Sequence, residues 1–445
     1  MSFAKETQEQ FNKVADVLFA SLAQDEKAQL NLHAEESLFV RFNNNQVRQN
    51  THVHQKELTL VLQKSNREVR LGFPLTGQFE WDSQAVLEHL QQARQEASQL
   101  PEDPYLVSIQ NNGTSDHHLP GELLPMTEVV KEITTVADGT DFAGLYCAGP
   151  LVTANRNSLG QNHWFSTENF FVDFSLYNKE KSAKALYAGQ AWKTQDFAHY
   201  HRLARINLEL LNRPAVDVKP GAYRTYLAPG AVSELASMFS WGACSYSAYK
   251  QGRSALQKLA DKEKSLSPHF SLQENFRLGL SPRFNSIGEL APEVLPLVTQ
   301  GSLQNWLTSS RSAKEYQTVG NSAELSETLR SLEILPGSLK ESDILKELGT
   351  GLYLSNLHYL NWSDRPNARI TGMTRYACFW VDEGEIVGPI KDLRFDESLY
   401  EALGENLLAV TDFQAIEASV GTYSQRSWGG MKVPGMLIRD FKFTL

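Results

Sequence analysis

Glu57-Leu-Thr-Leu-Val-Leu62, then Lys64-Ser65-Asn66, then Glu68-Val-Arg-Leu-Gly-Phe73 is the stretch that decides the fold class. Two extended apolar runs flank a polar Lys-Ser-Asn turn, which reads as a β-hairpin. Upstream, Ser37-Leu-Phe-Val-Arg-Phe42 reads as another strand, closed by the turn signal Asn43-Asn44-Asn45. Helices bracket these strands. Phe11, Val14, Val17, Leu18 and Leu22 fall at helical spacing and predict a helix over residues 5–22. Asp82 is placed to N-cap a second helix through Leu100, with Ala85, Leu87, Leu90 and Ala93 on its buried side. Pro101-Glu-Asp-Pro104 reads as a boundary.

Residues 105–215 repeat the style. A short helix is expected over 127–137, and strands over Gly144–Cys147, Leu151–Ala154 and Phe170–Leu176. A turn runs from Asn155 to Gly160, and a helix from Asp196 to Leu211 ends at Arg213-Pro214. His117-His118 sits in a stretch that reads as a solvated loop. From Pro220 onward, Gly and Pro become frequent and short apolar runs sit between them, among them Tyr376–Val381, Glu385–Ile390 and Met436–Phe443. That spacing predicts a largely antiparallel β region, with residues 230–261 as a helical exception. Helix-bracketed strands followed by a β-rich part give an α+β fold rather than alternating βαβ units. Three parts are expected: 1–104, 105–215 packed with it, and 216–445.

Composition narrows the function. Of 445 residues, 41% are hydrophobic and 21% charged, which suffices for sizeable cores and argues against disorder. The formal charge of -10 disfavours broad nucleic-acid or anionic-membrane binding. Three widely spaced cysteines, Cys147, Cys244 and Cys378, give no disulfide framework. The polar N-terminus has no signal core, and no apolar stretch is long enough to span a bilayer. A soluble, cytoplasmic protein is expected.

Local chemistry motifs are absent. There is no P-loop, no GxSxG elbow and no HExxH, and Gly349-Thr350-Gly351 lacks the third glycine of a dinucleotide fingerprint. His52 and His54 could share a strand face but lack a third ligand. His199 and His201 are two apart in a helix and do not face each other. Asp382-Glu383-Gly384-Glu385 offers three carboxylates, yet reads as a hairpin tip with Gly384 at positive φ. Cys378 and Cys244 read as buried, inert thiols.

Five segments in order along the chain carry a resemblance. They are Val69-Arg70-Leu71-Gly72-Phe73 before a helix, and Ala154-Asn155-Arg156-Asn157-Ser158-Leu159-Gly160 before an aromatic strand. Pro220-Gly221-Ala222-Tyr223-Arg224-Thr225-Tyr226-Leu227-Ala228-Pro229 opens the last part. Gln300-Gly301-Ser302-Leu303-Gln304-Asn305-Trp306-Leu307 follows, and then Thr371-Gly372-Met373-Thr374-Arg375-Tyr376-Ala377-Cys378-Phe379-Trp380 continues to Pro389. Together they resemble the TldD/PmbA family, also called TldE or "modulator of DNA gyrase". The resemblance implies cytoplasmic proteins in which TldD pairs with TldE as a metallopeptidase acting on peptides, in peptide maturation and antitoxin degradation.

The catalytic member of that family carries HExxxH on a helix after the Pro-Gly-x-Tyr strand, two histidines binding zinc and the glutamate acting as base. The stretch here in rough register is Ser237-Met238-Phe239-Ser240-Trp241-Gly242, and no histidine lies between His201 and His269. Ser237, Met238 and Gly242 thus mark a degenerate motif, and Met238, Phe239 and Trp241 read as a packed helix face. Trp362-Ser363-Asp364-Arg365-Pro366 also departs from the family's glycine-rich run. The expectation is a TldE-like subunit with no catalytic residue and no cofactor of its own. Zinc would sit in a TldD-like partner, and an extended peptide would be held between them. Trp241, Asn361, Trp362, Arg369 and Arg375 are the groove candidates. Two alternatives stay open. One is a stand-alone metallopeptidase whose metal is held by distant histidines such as His163, His269 and His358. The other is a homodimeric or solitary peptide-binding protein without catalysis.

Overall fold

The computed structural model describes residues 2–179 and 181–444. The first helix forms as α1, Phe3–Ala20, burying Phe11, Val14, Ala15 and Leu18 on one stripe. It is followed by β1 (Lys27–Asn43), β2 (Gln46–Lys64), β3 (Arg67–Pro74) and α2 (Phe79–Ala97). The hairpin between β2 and β3 turns through Ser65 and Asn66, both at positive φ. Asp82 requires a correction. The helix starts three residues earlier, and the buried carboxylate accepts from Thr76 N (2.8 Å), Thr76 Oγ1 (2.7 Å) and Gly77 N (2.8 Å). It caps the loop leading into the helix, not the helix itself.

Next come β4 (Thr114–Leu119), α3 (Val129–Val136), β5 (Asp141–Asn157), β6 (Asn162–Asn178), β7 (Lys181–Gly189) and α4 (Thr194–Leu211). Residues 27–189 thus build one sheet in the order β3-β2-β1-β5-β6, with β4 and β7 sharing the outer edge of β6. His117 and His118 lie in β4 and not in a loop, because that segment pairs in parallel with Phe165 and Ser166. Two cores cover the sheet. One joins α1 and α2 to Leu30, Leu60 and Val152, and the other joins α3 and α4 to Phe142, Val172 and Phe174.

The strands expected at 144–147 and 151–154 are one continuous β5. Gly149 and Pro150 sit inside it. Gly149 has φ +142°, and a Cβ there would stand 2.0 Å from Glu36 O. β1 is irregular opposite this point and β6 carries the pairing past it.

The remainder holds β8 (Gly221–Leu227), α5 (Pro229–Met238), β9 (Leu272–Asn275), β10 (Val294–Thr299), β11 (Ser302–Leu303), β12 (Leu332–Ile334), β13 (Gly351–Asp364), β14 (Arg369–Asp382), β15 (Glu385–Pro389), β16 (Arg394–Ser398), β17 (Leu407–Ala418) and β18 (Gly430–Phe443). This is the β-rich half of an α+β fold. β8 pairs with β13, β13 with β14, β14 with β16, β16 with β18, and β18 returns to β8, closing a five-stranded ring. The expected β14–β15 hairpin turns at Glu383 and Gly384, both at positive φ.

α5 packs against this ring through Ala231, Val232, Leu235, Ala236 and Met238, which share a core with Leu354, Ile370, Phe395 and Ile438. The helical stretch expected over 230–261 is broken. After Met238 comes one wide turn, Phe239–Ala243, in which Gly242 takes φ +81° and ends the run. Only two short helical pieces follow before residue 261.

Candidate functional site

A cavity of about 1260 Å³ lies between the first sheet and the β-rich half. β1 and β5 supply one wall, and α4, β6 and β7 a second. α5, β13 and β17 supply the wall opposite. The polar positions of α5 look into it: Gly230, Ser233, Glu234 and Ser237, spaced i, i+3, i+4 and i+7, with Ser240 just beyond. The helix is therefore amphipathic in a specific way. Its apolar stripe builds the ring core and its small polar stripe lines the cavity. Gly230 lets the helix approach β13, since a Cβ there would meet Asn356 Nδ2 at 2.8 Å and Ser355 O at 3.0 Å.

Charged groups gather where β6, β7, β17 and α5 meet. Lys184 of β7 is ion-paired with Asp173 of β6 at 2.8 Å, and its ammonium lies 5.9 Å from the Tyr376 ring centre. Burial pulls the Lys184 pKa down, but Asp173, with Tyr376 and Glu417, outweighs it and the net shift is upward. Glu417 of β17 is pushed up to about 7, chiefly by burial. Lys184 opposes that shift, while Asp173 and Glu234 add to it. Glu234 of α5 is also raised by burial against the pull of His358 and Lys184. Its side chain is exposed along the cavity wall, and the protein around it weakens the stabilisation of its charge.

A strap closes one side. Residues 419–429 leave β17, cross to the first sheet and return to β18. Arg426, 1% exposed, anchors them. Its guanidinium donates to Gly149 O (3.1 Å), Asn169 O (2.8 Å) and Asn169 Oδ1, and lies 5.8 Å from the Phe171 ring centre. Its backbone N–H donates to Glu35 Oε1 at 2.9 Å. Trp428 packs on His33 with ring centres 4.7 Å apart.

The residues do not fit a zinc site. The cavity stripe of α5 offers one carboxylate and no imidazole. His33 and His199 border the same cavity. Among the described residues, however, no three His, Cys, Asp or Glu side chains stand together as a metal would need. His163, His269 and His358 do not assemble either. His163 is fully buried, with its Nδ1 2.8 Å from Ser115 Oγ and its ring stacked on Phe284, and His358 stacks on Tyr359. The cysteines are buried and free. Burial pushes the Cys147 thiol up to about 12 and Cys378 to about 11.

Of the residues singled out in the sequence, Ser237 lines the cavity, Met238 is buried in the ring core and Gly242 forms the wide turn. Trp241 is half exposed and borders a smaller pocket with Arg365, away from the main cavity. Asn361 and Trp362 lie on β13, with Trp362 partly packed on the core beneath the Arg365 guanidinium at 5.8 Å. Arg369 pairs with Asp396 at 2.9 Å, and Arg375 lies over the Tyr376 ring at 5.3 Å. These five border no part of the main cavity. The charged residues that do border it are scattered from Glu57 to Glu417, so no local spacing marks them. The polar i, i+3, i+4, i+7 stripe of α5 was the one available signal.

Several solved structures share the fold along the whole chain. A proposed modulator of DNA gyrase from Bacteroides thetaiotaomicron aligns at 15% identity and TM-score 0.77, covering 100% of both chains. TldE from Thermococcus kodakarensis aligns at 14% and 0.74, covering 99% of this chain and 100% of that one. A proposed modulator of a DNA gyrase from Thermotoga maritima aligns at 12% and 0.74, covering 100% of both. No curated protein sequence matches the chain. Residues 220–445, just over half of the chain, match the PmbA/TldA metallopeptidase C-terminal domain, and the chain belongs to the PmbA/TldD family.

Proposed function

We propose that this chain is a TldE-type subunit, which joins a zinc-bearing TldD-type partner and helps hold an extended peptide for cleavage there. One observation carries the reading. The helix that enters the cavity after the Pro-Gly strand presents Ser233, Glu234, Ser237 and Ser240, a set that can orient a chain by hydrogen bonds but cannot hold zinc. The peptide has a place to lie. β17 pairs with β18 along one edge, and from Phe413 to Ala418 its other edge has no strand partner among the described residues and borders the cavity. A segment added there would gain backbone hydrogen bonds independent of its sequence. The likeness to TldE from Thermococcus kodakarensis agrees with this reading without deciding the subunit role.

The test is pairing. A family member from the same cell that carries HExxxH, immobilised on resin, is expected to retain this chain at near equal stoichiometry. The mixture is expected to cleave unstructured peptides while this chain alone does not. Failure to be retained, with a stable homodimer in its place, would favour the solitary peptide-binding reading.

A further inference from the structure

The first sheet has one long edge that the described residues leave bare. β3 pairs with β2 from Glu57 to Lys64, and among the described residues no strand pairs with the outer edge of Gln46–Gln55. Across the pairing, Leu38, Val40 and Phe42 of β1 are buried against α3 and α4. That cover stops at β1. Every residue from Gln46 to His52 is exposed, whichever face of the sheet it stands on. The stretch points away from the cavity and lines no part of it.

Soluble proteins blunt such an edge with proline, lysine, bulges or a very short strand. Here one bulge, at Arg48, sits near the turn, and Gln49–Gln55 then run in regular register with β1. Those residues include no Pro, Gly, Lys, Arg, Asp or Glu. At about 3.3 Å per residue they offer about 23 Å of regular edge, with alternate residues turning N–H and C=O outward.

Charge picks out the same stretch. The chain carries -10, so another acidic chain is repelled over much of its surface. Gln46–Gln55 holds no carboxylate and one guanidinium, Arg48, and the Glu36 carboxylate of β1 beside it lies 3.7 Å from His52. An acidic chain of the same fold can approach here. Backbone pairing also suits a family member as the occupant. The fold is kept in relatives only 12–15% identical, and an interface made by N–H and C=O groups tolerates that degree of side-chain change.

We infer that the Gln49–Gln55 edge of β2 is where the zinc-bearing partner docks, adding a strand so that one sheet runs through both subunits. The inference rests on the pairing reading above and names the surface that serves it.

Two readouts on the intact chain test it, both with an HExxxH-bearing family member from the same cell. Amide exchange is expected to slow at least tenfold at alternate residues of Gln49–Gln55 when that protein is bound. The double variant Asn50→Asp, Thr51→Asp places two carboxylates on the edge. With its thermal melt matching the parent, it is expected to bind at least tenfold more weakly. Unchanged exchange at these amides in a formed pair, or undiminished affinity in the folded variant, overturns the docking edge and leaves the pairing standing. Protection of the same amides in a homodimer, with no binding of the HExxxH-bearing protein, overturns that partner as the occupant and the pairing reading with it. Association of neither kind overturns both.

Discussion

Glu327→Ala is expected to lower the stability of this chain by about 2–4 kcal/mol, because it takes the acceptor away from a buried hydrogen-bond network. Glu327 is 2% exposed and knits three segments of the β-rich half. One oxygen accepts from Ser245 Oγ (2.6 Å) and Ser247 N (2.9 Å), the other from Ser309 N (2.9 Å) and Ser309 Oγ (3.1 Å). Alanine leaves two N–H groups and two hydroxyls buried without an acceptor, each costing on the order of 1–3 kcal/mol before relaxation. Glu327→Gln keeps the volume and one carbonyl oxygen, so its loss is expected to be about half as large. Urea midpoints of the two variants check this. An alanine variant within about 0.5 kcal/mol of the parent would show that the network contributes little.

Arg426→Ala is expected to release the strap over the cavity. The guanidinium ties residues 419–429 to the interior of the first sheet, through Gly149 O and both oxygens of Asn169. Its removal leaves those acceptors buried and empties the volume of a large side chain. The expected loss is about 3 kcal/mol. The strap is open to solvent at its tip. Tyr423 is 97% exposed, and Ser424, Gly429 and Gly430 all take positive φ. Limited proteolysis is therefore expected to cut within 419–430 at least ten times faster in the variant, before global unfolding. Equal cutting rates would mean that Trp428 on His33 and Gln55 on Ser424 suffice to hold it.

The sequence was most legible where burial follows one period. α1 was readable from apolar spacing, α4 up to the stop at Arg213-Pro214, and the β2–β3 hairpin from its turn. Legibility failed where tertiary pairing overrode local preference. The segments 144–147 and 151–154 read as two strands, yet pairing with neighbours on both sides makes them one β5. His117 and His118 read as loop because their strand character comes only from pairing with β6. The site was harder still. The aromatic and basic candidates Trp241, Trp362, Arg369 and Arg375 find partners on the surface of the β-rich half. The charged corner of the cavity is built from Asp173, Lys184, Glu234 and Glu417, residues far apart in the chain that only the closed fold brings together. What could be read was a negative: the helix after the Pro-Gly strand lacks zinc ligands, and the serine and glutamate stripe on its cavity face agrees with that reading.

In the proposed role this chain serves the family's chemistry without holding its metal, and that role has a direct check. It is tested most directly by the zinc content of the purified chain, measured by mass spectrometry after dialysis without a strong chelator. Zinc is expected far below one equivalent in the isolated chain, and near one equivalent per pair once an HExxxH-bearing partner is bound. Near-stoichiometric zinc in the chain alone would contradict it.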